Sequence, residues 1–191
     1  MLLLVAGLAP AAAQRGGPPT AEDGQRLAAR LAHIIDRGSR DSDRRQTVVL
    51  PEREVNAYLR FQAASQLPPG VTEPHITMTG GGRVEARARI DLDAVAAGRE
   101  RGVLDPLSYL RGNLPVAASG ILEARGGSGR IEVESVRIAD LPVPALLLDL
   151  LVRFHTRSEA FPLGFDLAEP FELPYRIREI RVAAGEAIVV Q

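Results

Sequence analysis

From Val84 to Leu92 the chain alternates without interruption. Val84, Ala86, Ala88, Ile90 and Leu92 are apolar, and Glu85, Arg87, Arg89 and Asp91 stand between them. A period of two sends successive side chains to opposite faces, so this segment is a strand with one dry face and one wet face. Such a strand belongs in an antiparallel sheet covered on one side only. The segments around it fit that demand. Pro74 to Thr79 reads as the preceding strand, with Gly80-Gly81-Gly82 as the turn between them. Pro115 to Arg125 and Arg130 to Ala139 read as a second hairpin about Gly126-Gly127-Ser128-Gly129, and Pro174 to Ala183 with Ala187 to Val190 as a last one about Gly185.

Two of these strands share a pattern. Ile131-x-Val133-x-x-Val136-x-Ile138 matches Tyr175-x-Ile177-x-x-Ile180-x-Val182, and the apolar parity flips once in each. A bulge, or a twist that carries the strand from one face to the other, is the expected cause. The stretch from Ala94 to Gly112 has no single reading: Leu104, Leu107 and Leu110 have helical spacing after Asp105-Pro106, but Gly98 and Gly102 weaken the first part.

Ahead of the strands the period is 3.6. Thr20 or Asp23 can cap a helix running to about Arg37, with Leu27, Leu31, Ile34 and Ile35 on one face. Gln46 to Leu50 reads as a short strand. Pro51 then opens a second helix, with Glu52 and Glu54 in the first turn, favourable to the helix dipole, and Val55, Tyr58 and Leu59 as the apolar face. Leu67-Pro68-Pro69-Gly70 ends it.

Leu141-Pro142-Val143-Pro144 is a rigid step out of a strand. It leads into Leu146, Leu147, Leu148, Leu150, Leu151, Val152 and Phe154, with only Asp149 and Arg153 to mark a wet side. A helix buried on one side needs only a stripe of apolar residues. A helix apolar nearly all round is enclosed by protein on most sides, or faces something apolar that is not protein.

Composition narrows the functions. The chain has 191 residues and a formal net charge of −1, so no global field draws in nucleic acid. All 23 basic residues are arginine, and there is no cysteine to form a disulfide, a thiolate metal site or a nucleophile. Aromatic residues make up 4%, too few for a stacking platform. His33, His75 and His155 lie in no metal-binding spacing, and none has an adjacent carboxylate to orient it. Asp41-x-Asp43 sits in a run of arginines and Asp91-x-Asp93 at a strand end, so both read as solvated surface. The glycine runs lack the Lys-Ser/Thr of a phosphate loop, and there is no GxSxG elbow. Arg87 and Arg89, with Arg83, form a basic row on the polar face of their strand; it could touch anionic headgroups or phosphates, but a solvated face is the better reading. No catalytic residue, metal site or cofactor is expected.

The N-terminus reads as an address. An apolar run from Leu2 to Leu8 is followed by Ala11-Ala12-Ala13 and Gln14, which fits a signal peptide cleaved after Ala13. The expected division is a signal peptide over 1–13, a flexible leader over 14–20 and one α+β domain over 21–191, periplasmic or secreted.

Two motifs carry a resemblance. Leu50-Pro51-Glu52-Arg53-Glu54-Val55-Asn56-Ala57-Tyr58-Leu59 resembles the strand-to-helix entry of bacterial extracytoplasmic lipid-binding proteins of the LmeA-like and YpmS-like kind, in which the helix carries Glu, a hydrophobic residue, Asn and further hydrophobics. Leu141-Pro142-Val143-Pro144 and its leucine helix are similar to the leucine-proline step those families place after a long strand. The resemblance implies a fold related to tubular lipid-binding (TULIP/SMP-like) domains. In it a long, strongly twisted antiparallel sheet wraps around an apolar helix, with additional N-terminal helices, and an apolar groove holds acyl chains. The groove would be lined by Val55, Leu59, Leu146, Leu147, Leu150, Leu151 and Phe154. The function expected is a non-catalytic lipid-binding or lipid-transfer module whose partners are a lipid or other apolar ligand and a membrane surface or envelope proteins. The alternative is an extracytoplasmic scaffolding domain with a protein partner and no lipid.

Overall fold

A computed structural model describes residues 17–40, 44–68, 70–91, 93–94, 112–144, 148 and 169–191. The signal segment 1–13, residues 14–16 of the leader, the leucine-rich segment 146–154 apart from residue 148, the ambiguous stretch from 95 to 111, Asp41-x-Asp43 and His155 lie outside these residues. The described chain is α+β. Two helices, α1 (Ala21–Gly38) and α2 (Glu52–Phe61), accompany one open antiparallel sheet of nine strands. The strands are β1 (Thr47–Pro51), β2 (Val71–Gly80), β3 (Arg83–Asp91), β4 (Asn113–Arg125), β5 (Ser128–Ile138), β6 (Leu141–Pro142), β7 (Phe171–Glu172), β8 (Glu179–Ala183) and β9 (Glu186–Val190).

The sheet runs β1-β9-β8-β4-β3-β2, with β5 on the other side of β4 and the short β6 and β7 on the outer edge of β5. Strand β4, with 13 residues, is about 40 Å long at ~3.3 Å per residue and serves as the spine. Its first part pairs with β3 (Ile90↔Leu114 to Arg83↔Ile121), and its end pairs with β8 (Ala124↔Ile180). The β2–β3 and β8–β9 hairpins therefore lie end to end along one edge of β4. They meet at the glycine turn: Gly82 N–H donates to the Val182 carbonyl, and Gly185 N–H to the Met78 carbonyl. Gly82 has φ +84, and a Cβ on it would stand 2.9 Å from the Leu122 carbonyl oxygen. Both the turn and the close approach require glycine there.

The two parity flips have different causes. In β5 the flip is a bulge: Gly120 pairs with Val133 and Ser119 with Ser135, which leaves Glu134 as the extra residue. The second flip lies outside any strand. Tyr175 and Arg176 take left-handed conformations (φ 56 and 58), Ile177 is a loop residue buried in the core, and β8 begins only at Glu179. The strand expected over Pro174 to Ala183 is thus a turn followed by five strand residues.

Helix α1 starts with a capping box: Thr20 accepts from Asp23 N–H, and the Asp23 carboxylate accepts from Thr20 N–H at 2.8 Å. It buries Leu27 and Ile34. The core forms where α1, α2 and the 173–177 loop close over one face of the sheet. Ile34, Val48, Ala124, Leu173, Ile177 and Val189 make one cluster, and Met78, Val182 and Ala187 make a second.

Candidate functional site

The face of the sheet that carries this core continues well beyond it. In register, Val84 lies opposite Gly120 and Val133, Ala86 opposite Ala118 and Val136, and Ala88 opposite Val116 and Ile138, with Ile90 opposite Leu114 at the far end. Directly paired residues share a face, so these positions form one surface across three strands, and none carries a polar group. At the core end it is sealed, with Ala124 only 2% exposed. Toward the far end every one of these positions is half-buried. The small side chains of Ala86, Ala88, Ala118 and Gly120 lie between larger ones on β2 and β5, so the floor is lowest along its middle.

Helix α2 holds the edge of this surface. Along the outer edge of β2, Ile76 turns its backbone N–H and C=O away from β3. Asn56 meets both: its Nδ2 donates to the Ile76 carbonyl at 2.7 Å, and its Oδ1 accepts from Ile76 N–H at 2.7 Å. The side-chain amide thus imitates a neighbouring strand. One helical turn earlier, Glu52 Oε2 accepts from Met78 N–H at 2.6 Å. Spacing i, i+4 puts both polar groups on one helix face, four residues apart against alternate strand positions. At Ile76 and Met78 the edge strand is covered and its backbone groups are satisfied, which closes that stretch to further strand addition.

A second polar set joins α2 to α1. Among the described residues, Asp23 (2% exposed) and Glu54 (6% exposed) are the buried side-chain carboxylates. Arg53 Nε reaches Asp23 at 2.9 Å, and Arg30 Nε reaches Glu54 at 2.9 Å. Arg26 bridges both carboxylates, lying 3.3 Å from Glu54 and in close contact with Asp23. The hydrogen bond from Thr20 N–H, aided by Arg53 and opposed by burial, holds the Asp23 carboxyl at about 2, below its ordinary 3.8. Each buried carboxylate has its counter-charges, and the three arginines that supply them are 39–48% exposed. The set is a latch between two helices.

Of the residues expected to line a groove, Val55 packs against the cluster of Met78, Val182 and Ala187. Leu59, one turn later, lines a cleft of about 630 Å³ between α2 and the start of β2, together with Asn56, Arg60, Leu67, Val71, Pro74 and His75. Leu146, Leu147, Leu150, Leu151 and Phe154 lie outside the described residues. A larger cleft of about 760 Å³ runs over the middle of the sheet beside Ile121, Ile188, Arg125, Arg130 and Arg181. His33 contacts the Gln46 side chain at 2.5 Å on the surface of α1, and His75 is exposed on β2. Asp91 Oδ1 accepts from the N–H groups of Asp93 and Ala94, so this carboxylate caps its own turn. Among the described residues, no three His, Cys, Asp or Glu side chains converge where a metal could sit, and no helix is long and apolar enough to cross a membrane.

The parts that reading the sequence missed are the buried polar ones. Glu52 and Glu54 satisfy the helix dipole by position, but their carboxylates bind a strand edge and a pair of arginines. The available signal was the i, i+4 spacing of Glu52 and Asn56 beside an apolar stripe. No protein-family model matches this sequence, and comparison with curated proteins finds no significant match.

Proposed function

We propose that this protein is an extracytoplasmic, non-catalytic module that binds or transfers lipid, with acyl chains lying on the apolar face of β3, β4 and β5. One observation carries the reading. That face is free of polar side chains over three strands, and it passes from a sealed core at Ala124 to half-buried positions at its far end. A surface of this kind favours an aliphatic ligand by about 0.8 kcal/mol per buried CH₂, and needs no hydrogen bond to do so. In this reading the sheet curls around the leucine-rich segment from Leu146 to Phe154. Leu146, Leu147, Leu150, Leu151 and Phe154, with Val55 and Leu59, complete the groove, as in the LmeA-like and YpmS-like proteins. Export follows cleavage after Ala13.

The test is direct. Protein purified without detergent from its own host is extracted with organic solvent, and the extract is read by mass spectrometry beside that of a soluble control of similar size. A stoichiometric lipid specific to this protein is the expected result. Extracts indistinguishable from the control would remove the lipid reading, and a scaffolding domain with a protein partner would take its place.

A further inference from the structure

We propose that β1 is the pairing edge of a two-fold homodimer, in which the sheets of two copies join antiparallel through Thr47 and Val49, whether or not the sheet carries a ligand. The register of β1 shows which of its backbone groups are open. Gln46 and Gln191 exchange both of their backbone hydrogen bonds, and Glu52 N–H donates to the Gly185 carbonyl. The pairs from Thr47↔Val190 to Pro51↔Glu186 continue the same register between them. Doubly bonded pairs alternate with open ones in an antiparallel ladder. Val48 and Leu50 therefore face β9, and Thr47 and Val49 turn their N–H and C=O groups outward. Among the described residues nothing takes these groups.

The other edges of the sheet are guarded. Along β2, Asn56 and Glu52 answer Ile76 and Met78, and Pro74 has no N–H to offer. Strand β5 has β6 and β7 at its two ends, a bulge at Glu134 between them, and the charged side chains of Arg130, Glu132 and Glu134. Strand β1 has no bulge and no charged side chain, and no described strand lies on its outer side. Thr47, Val48 and Val49 are all β-branched, which suits extended backbone. A bare edge of this kind is a template for another strand.

The edge is complementary to itself. Two copies paired antiparallel about Val48 set Thr47 of one opposite Val49 of the other. Every outward N–H and C=O of those residues then finds a partner, and Pro51, which has no N–H, falls outside the ladder. Charge fits the same register. On the outer face of β1, β9 and β8, Arg45 and Arg181 stand against Glu179 and Glu186. Arg45 is 69% exposed and lies 3.6 Å from Glu179, which Arg181 also reaches at 3.5 Å. Glu186 has no ion pair among the described residues. Pairing about Val48 sets Arg45 opposite Pro51 of the other copy, whose neighbour on β9 is Glu186. Two strand spacings, about 10 Å, separate the two backbones, and the two side chains span it. Glu179 keeps Arg181 when Arg45 turns to the other copy. On the same face the half-buried Val49 and Ile188 of one copy continue into Thr47 and Val190 of the other. The pairing consumes the edge it uses, so it closes at two copies.

Sedimentation equilibrium of the full chain tests this from about 5 to about 500 µM, because a contact this short belongs to the weak, transient class of interfaces. The wild type is expected to pass from monomer to dimer within that range and to go no further. Val49→Pro removes an outward N–H from each copy, and so half of the hydrogen bonds across the joint, without touching the bonds to β9. It is expected to weaken dimerisation about 30-fold. Val49→Lys keeps the backbone donor and covers the case in which proline unfolds the strand; it should disperse the dimer as charged edge residues do. Arg45→Glu and Glu186→Arg should each weaken the dimer about fivefold, and the double variant should recover it. A wild type that stays monomeric across the range, or a dimer that keeps its full strength in Val49→Pro and Val49→Lys, would overturn the proposal. A double variant as weak as the single ones would overturn the register about Val48.

Discussion

Replacing Asn56 by Ala should cost far more than its size suggests. The side chain is 5% exposed and makes two hydrogen bonds of 2.7 Å to the backbone of one residue, Ile76. Alanine removes both and leaves an N–H and a C=O facing a helix that cannot answer them. Each orphaned group costs about 1–3 kcal/mol when water cannot reach it, and less where it can. Because Ile76 is half-buried, the lower part of the range applies, for a total of about 3 kcal/mol. With an m-value of about 2 kcal/mol/M, the urea midpoint should fall by ~1.5 M. Asn56→Asp is a sharper probe. Its carboxylate can still accept from Ile76 N–H, but the second oxygen now faces the Ile76 carbonyl with no proton between them. Protonation restores the donor, so the folded-state pKa of this aspartate is raised. The stability it contributes is present at low pH and lost as pH rises through that raised value, so Asn56→Asp should approach the wild type near pH 4 and fall away from it toward pH 7, by the linkage relation. Urea titrations across that range, each compared with the wild type at the same pH, provide the assay. A loss below ~0.5 kcal/mol for the alanine variant, which is the range of ordinary surface changes, would refute the strand-mimic argument. So would an aspartate variant whose deficit does not depend on pH.

Asp23 should behave in the opposite sense. Its carboxyl is held at about 2 against an ordinary 3.8, so its contribution is complete above 3.8 and is lost as pH falls toward 2; the urea midpoint of Asp23→Asn should therefore vary less with pH over that window than the wild type's, and equal slopes would show that the latch is not titrating. Gly24 is buried on α1, where a Cβ would run into the Gln62 side chain and stand 3.0 Å from the Ala57 backbone on α2. In an exposed helix Gly→Ala stabilises by about 1 kcal/mol, so a thermal midpoint that drops for Gly24→Ala confirms the close helix approach, and one that rises contradicts it.

Much of the sheet was legible because a half-buried strand records its two faces in alternate residues. The alternation from Val84 to Leu92 marks a strand on that ground alone, formed as β3 up to Asp91, and the runs Gly80-Gly81-Gly82 and Gly126-Gly127-Ser128-Gly129 mark turns because glycine takes positive φ freely, as Gly80, Gly81, Gly82, Gly126 and Gly127 do. The bulge in β5 was legible as a parity flip. The matching flip near Ile177 was misread, because a left-handed pair of ordinary residues at Tyr175–Arg176 shifts the parity just as a bulge does. One sequence cannot tell the two apart, since neither residue is a glycine that would mark the turn. Strand order was not legible either. That β1 joins β9, or that β4 passes from β3 to β8, depends on contacts between segments more than 50 residues apart, which no local period records.

Of the candidate groove residues, the sequence pointed to apolar side chains, and the structure adds the polar ones that give such a surface an edge. An apolar floor open along a strand edge would invite another chain to pair there, because unpaired backbone groups beside a dry face template strand addition. Asn56 and Glu52 prevent this by occupying the Ile76 and Met78 positions from the helix side. This gives a physical reason for the Glu52-to-Asn56 spacing: it holds the edge of the sheet from the helix side. Neighbouring residues on one helix thus face different surroundings. Val55 packs into the core, Leu59 opens onto the cleft beside β2, and Asn56 between them satisfies the strand. Substitutions at Leu59 should then alter what the cleft admits with little effect on the edge. Substitutions at Asn56 should loosen β2 whether or not a ligand is present, because the bonds they remove are to backbone.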